Sequence, residues 1–107
     1  MNIKDWNIEE MCGYKPLTTF YTDFSIADKF GIAAIKDTLN RCEKYWTDDY
    51  KYFTELVMVM SWKSFEHENN PEYCRFYSEM YYKLDNKYFK KYKDNKEAIN
   101  YYIRTTD

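Results

Sequence analysis

A chain of 107 residues is the size of one ordinary domain and buries roughly 65% of the surface its unfolded form exposes, so folding requires neither a metal nor a disulfide framework. Aromatic residues make up 21%, 13 Tyr among them, with only 2 Gly and 2 Pro; large buried rings argue against disorder despite 32% charged residues. A formal charge of −2 supplies no bulk attraction to nucleic acid or to an anionic membrane, so any such binding must come from a local patch.

Cys12, Cys42 and Cys74 are an odd set without CxxC or zinc-like spacing, which points to reduced thiols and a cytoplasmic setting. The opening MNIKDWNIEEMCG has no apolar core behind its Lys, so no secretory signal is expected. The longest unbroken apolar run, Leu56 to Met60, is far too short to span a bilayer.

In chain order, a short helix is expected from Trp6 to Cys12, with Asp5 as its cap and Gly13 as its stop. Tyr14 to Tyr21, with Pro16 and Thr18-Thr19, reads as an irregular connection. Thr22 or Asp23 then caps a brief helical turn that bends at Gly31. The N-terminal part of the domain is therefore residues 1–21 and the helical core residues 22–107.

Ile32, Ile35, Leu39, Cys42 and Trp46 fall at i, i+3, i+7, i+10 and i+14, one stripe of a long helix. Thr47 caps a second long helix, Asp48 to Glu68, with Asp48 and Asp49 in its first turn. Its apolar residues, Phe53, Leu56 to Met60, Trp62 and Phe65, lie on nearly every side, which predicts a central helix covered on more than one face. Asn70, Pro71 and Glu72 open a third long helix reaching Tyr92, with Tyr73, Tyr77, Met80, Tyr81, Leu84 and Tyr88 facing the core. Asp94-Asn95 precedes a short last helix, Glu97 to Arg104. The expected fold is all-α: a single-domain antiparallel bundle of three long helices with short terminal helices.

Residues 26–40, IADKFGIAAIKDTLN, open like a helix-turn-helix, with Ala27 and Gly31 suitably placed. Counting onward, the two apolar anchors of a recognition helix would be Asp37 and Asn40, both polar. Lys36 and Arg41 are offset by Asp28, Asp37 and Glu43, so the positive footprint that phosphates require is missing. The segment is at most a degenerate helix-turn-helix and is read as a plain bend.

The runs DFSIADKFG, AIKDT and DDYKYFTELVMV, with the closing TTD, resemble a family of short uncharacterised proteins of phages and other mobile elements in gut bacteria. The likeness is good over residues 18–66 and loose beyond. It implies origin and setting, a mobile-element protein inside a bacterial cell, and carries no activity or functional residue across.

Among candidate sites, His67 stands between Glu66 and Glu68 without an HExxH pattern, and adjacent residues point to different sides of a helix. It reads as an exposed His tolerated at a helix C-terminus. Cys42 and Cys74 lie on apolar stripes as small core residues, whereas Cys12 beside Gly13 is the candidate reactive thiol. Two isolated glycines cannot build a phosphate loop. No catalytic, metal or cofactor site is expected, and none of the paired carboxylates departs from solvated or helix-start charges.

The most suggestive local feature is KLDNKYFKKYKDNK, residues 83–96, with six Lys against two Asp. Lys83, Lys87, Lys90 and Lys91 lie close on one helical side, interleaved with Tyr88, Phe89 and Tyr92. Such a surface can track phosphates and stack bases, and it also describes the solvated face of an amphipathic helix. Lys83, Lys87, Lys90, Lys91 and Tyr92 are the candidate interaction surface. Further Tyr are expected outside, with Tyr50, Tyr73, Tyr82 and Tyr101 in that set, as contact residues of the kind enriched at hot spots. The leading expectation is a non-enzymatic protein–protein interaction module with a protein partner. Nucleic-acid binding through the lysine stripe or Ile26–Asn40 is the alternative, and the aromatic surplus leaves room for self-association.

Overall fold

The computed structural model describes residues 16–106. Five helices follow one another: α1 Pro16–Asp28, α2 Ile32–Trp46, α3 Tyr50–Glu66, α4 Pro71–Lys91 and α5 Lys96–Thr106. There is no strand among the described residues. The helix expected at Trp6–Cys12 lies outside them.

Proline is well placed at the first turn of a helix, where its missing N–H would have no partner in any case. That preference is used twice, at Pro16 and at Pro71. The stretch through Thr18-Thr19 is consequently the front of α1 and not an irregular connection. The brief turn expected after Thr22 is the back of the same helix, which buries Phe20, Phe24 and Ala27.

Gly31 separates α1 from α2 with φ 104 and ψ 178, an extended positive-φ region that is essentially restricted to glycine. Beyond it, Ile35, Leu39, Cys42 and Trp46 are buried as the stripe predicts, with Ile32 packed against the core. Asp37 and Asn40 are exposed. The α1–α2 bend therefore does not pack α2 through the anchor positions of a helix-turn-helix.

The start of α3 is two residues later than its sequence suggests. Asp49 is the N-cap, its side chain accepting from the Lys51 N–H at 2.8 Å, while Thr47 closes α2 by donating its hydroxyl to the Glu43 carbonyl at 2.6 Å. Both residues can cap, and the carboxylate nearer the first free N–H groups prevails. Helix α3 packs against each of the other four helices and is the centre of the fold. Phe53, Leu56, Val57, Val59 and Met60 are wholly enclosed, each contributing about 1.5–3 kcal/mol by burial.

Along α4 the enclosed residues are Phe76, Tyr77, Leu84 and Tyr88. The tyrosines solve their polar ends individually. Tyr88 donates to the Ala98 carbonyl at 2.7 Å, Tyr92 to the Thr47 carbonyl at 2.9 Å, and Tyr102 to the Asp85 carboxylate. Their rings meet at 4.4 Å between Tyr88 and Tyr102 and 4.8 Å between Tyr88 and Tyr92. Part of the tyrosine surplus is thus core, with the hydroxyls of Tyr88, Tyr92 and Tyr102 each reaching a carbonyl or carboxylate.

A polar cluster and an aromatic groove at the end of α3

The lysine stripe is the site that sequence reasoning singles out, and the structure separates its components. Lys83, Lys87, Lys90 and Lys91 are exposed, but Tyr92 is buried against Phe53, Tyr88 and Tyr50 and leaves the proposed surface. The reason is periodicity. Leu84, Tyr88 and Tyr92 follow one another at i, i+4 and i+8 on the inward stripe, while the lysines flank it on one side. Two of these lysines already have acidic partners, Lys87 with Glu43 at 3.1 Å and Lys91 with Asp48 at 2.9 Å. Among the other tyrosines expected outside, Tyr82 is exposed, whereas Tyr50, Tyr73 and Tyr101 are half-buried.

Cys12 lies outside the described residues. Cys42 is enclosed, and burial next to the Asp23 charge pushes its thiol up to about 12. Cys74 departs from its expected core position: it is half-buried, with Sγ 3.6 Å from the Ser64 hydroxyl, which in turn lies 2.6 Å from Ser78. Asp23, half-buried on α1, is pushed up to about 6 by burial, partly offset by the Arg41 charge.

The densest polar constellation was not singled out by the sequence. Asp28, the last residue of α1, sits where helix carbonyls already concentrate negative charge, an unfavourable place for a carboxylate unless cations meet it. The Lys63 ammonium does so from the end of α3, with the His67 ring beside it. Lys63 Nζ lies 2.7 Å from Asp28 Oδ2, and His67 Nε2 lies 2.8 Å from the same oxygen. From α4, the Tyr77 hydroxyl donates to Asp28 Oδ1 and the Tyr73 hydroxyl to the Asp28 carbonyl at 3.2 Å. His67 also stacks on Tyr77, rings 5.7 Å apart and 7° from parallel. It is a half-buried clamp residue, not the exposed terminal His expected.

Lys63 is fully enclosed, which a lysine tolerates only with its charge met. Besides Asp28 it reaches Glu66 Oε2 at 2.7 Å and the Ser25 hydroxyl at 3.1 Å. Burial alone lowers such a group, but the bonds and charges of Asp28 and Glu66 outweigh that and hold the ammonium above its ordinary value. For Glu66 burial is the largest single influence and raises it, but the Lys63 and Tyr21 bonds and the Lys63 charge together outweigh it and hold the carboxyl below its ordinary value. Burial and the Asp28 bond together push the Tyr77 phenol strongly upward, so it stays a donor.

At the outer edge of this cluster the side chains form an open groove of about 590 Å³, lined by Tyr21 of α1 and by Trp62, Phe65 and Glu66 of α3. The Tyr21 hydroxyl donates to Glu66 Oε2 at 2.7 Å, fixing the carboxylate at the groove. Trp62 and Phe65, read among the apolar residues of a central helix covered on more than one face, are 48% and 74% exposed. They lie on the face of α3 that its neighbours leave open beyond Met60.

Chemically, the cluster joins a carboxylate, an imidazole, an ammonium and a phenol. Each is engaged with another member, and the His67 ring nitrogen bonds no hydroxyl or thiol among the described residues. No group of three or more His, Cys, Asp or Glu among them is arranged to hold a metal ion. None of the helices among them is long and apolar enough to cross a membrane. Local pairings such as Lys63 with Glu66 at i+3 are visible in sequence, but the convergence on Asp28 spans 35 to 49 positions of chain and has no local signature. Comparison with protein-family models, with curated proteins and with solved structures gives no match.

Proposed function

We propose that this chain is a small non-enzymatic protein–protein interaction module that binds and modulates a larger host or defence complex. The observation that carries the reading is the pair Trp62 and Phe65, large aromatic side chains left exposed beside a groove with a fixed carboxylate. Trp is enriched at binding hot spots, and an exposed aromatic pair flanking a concave surface is a costly arrangement for a surface without a partner. The polar clamp at Asp28 supports the same reading as scaffolding, since it holds α1 against α3 where the groove runs between them. Opposed numbering of the contacts between α3 and α4, Phe53 with Tyr88 but Ser64 with Ser78, supports an antiparallel bundle as the frame.

The family resemblance supports phage or mobile-element origin and action in the bacterial cytoplasm. Nucleic-acid binding through the lysine stripe is the weaker reading. The pairing of Lys87 and Lys91 with acids reduces the charge free to displace counterions, and the inward turn of Tyr88 and Tyr92 removes two stacking rings.

The test is capture from bacterial lysate, nuclease-treated and untreated, by the wild-type chain and by Trp62→Ala. A protein retained by the first and lost with the second supports the module. Retention that vanishes with nuclease, or is indifferent to Trp62, overturns it.

A further inference from the structure

We infer that the groove between α1 and α3 receives a basic side chain, an arginine in preference to a lysine, from the protein partner. The inference rests on the interaction-module reading and adds the chemistry of the occupant. Three aromatic rings, Tyr21, Trp62 and Phe65, form the walls, and Glu66 supplies one carboxylate at their edge. Aromatic faces attract cations through their quadrupole, Trp most strongly, and a guanidinium is planar, weakly hydrated and able to stack while bonding a carboxylate.

Behind the groove two carboxylates, Asp28 and Glu66, share the single ammonium of Lys63. Among the described residues both bonds to Glu66 fall on Oε2, from Lys63 and from Tyr21. Oε1 is left for an incoming donor, and Glu66 is 43% exposed. Lys63 already covers the Tyr21 ring at 4.8 Å, which shows the groove wall holding a cation from its inner side and leaves Trp62 and Phe65 for one from outside.

The experiment is a titration of the full chain with N-acetyl-arginine methylamide, its citrulline analogue and its lysine analogue, followed by the indole N–H signal of Trp62 in NMR. Disappearance of the signal in Trp62→Phe assigns it. The expected result is a saturable shift with the arginine probe and binding at least about tenfold weaker with citrulline, which keeps the shape but loses the charge. Lysine should fall between them. Glu66→Gln should reduce the preference for arginine over citrulline, leaving the part that the rings supply. Because Glu66 also meets Lys63, Phe65→Ser serves as a second variant that leaves the buried pairing intact and should weaken all three probes.

Equal response to arginine and citrulline, or no shift with any probe, overturns the inference. So does a concentration-dependent dimer abolished by Trp62→Ala, which would make a second copy the occupant. If the probes fail while a captured protein still depends on Trp62, the module stands and its occupant is apolar. If the probes behave as expected while no protein is captured, the module reading fails and the cation site remains.

Discussion

Lys63 and Asp28 meet at 2.7 Å across 35 positions of chain, the lysine wholly enclosed, the carboxylate also held by His67 and Tyr77, and the Asp28 carbonyl by Tyr73. One residue at the end of α1 is thereby tied to both α3 and α4, where three helices converge.

Removing one member of such a pair leaves the other charge enclosed and unmet. Lys63→Ala should therefore cost about 3–5 kcal/mol in urea denaturation. The double variant Asp28→Leu with Lys63→Met should recover a large part of that loss, since apolar residues of similar size replace an enclosed pair at little cost. A loss below about 1 kcal/mol in the single variant would mean that water reaches Lys63.

Asp23 sets a pH dependence of defined sign. Its carboxyl is raised from 3.8 to about 6, so between those values the folded chain binds more protons than the unfolded one, and stability falls as pH rises through the window. Asp23→Asn should raise the melting temperature at pH 7.5, with the gain shrinking toward pH 4. A gain that is constant with pH would show that the effect is packing and not charge.

The thiols should separate in reactivity. Cys42, enclosed and pushed up to about 12, should resist a thiol probe in the folded chain and react only on unfolding, whereas half-buried Cys74 should react at an intermediate rate. Mass spectrometry of the labelled positions with time makes the comparison, and early labelling of Cys42 would place α2 away from the core.

Gly31 should be hard to replace even though a methyl group there meets nothing within 4 Å. The cost is backbone conformation, and Gly31→Ala should destabilise by about 1–3 kcal/mol. By contrast, Lys87→Glu with Lys91→Glu should leave the fold intact and cost about 1–2 kcal/mol in all, because both lysines are exposed at 57% and 39% and their ion pairs are screened. Far-UV circular dichroism with urea denaturation reads both, and unfolding of the lysine double variant would put that face inside.

Sequence alone determined the elements whose signals are local. The α2 stripe from Ile35 to Trp46, the Asn70-Pro71 opening of α4 and the apolar circumference of α3 follow from helical periodicity and capping preferences, and the structure has each of them. It misplaced the start of α1, where Pro16 was read as a breaker although the same residue type opens α4, and it placed Tyr92 outside because a Lys-rich context obscured its i+4 relation to Tyr88. What only the tertiary structure decided is which polar groups share a place. Asp28, Lys63, His67 and Tyr77 are separated by tens of residues, and their meeting depends on how α1 and α4 lie on α3, a matter of long-range packing that no residue spacing encodes. The same packing left Trp62 and Phe65 outside: α3 is apolar on nearly all sides, and which of those sides stays open is set by where its neighbours end.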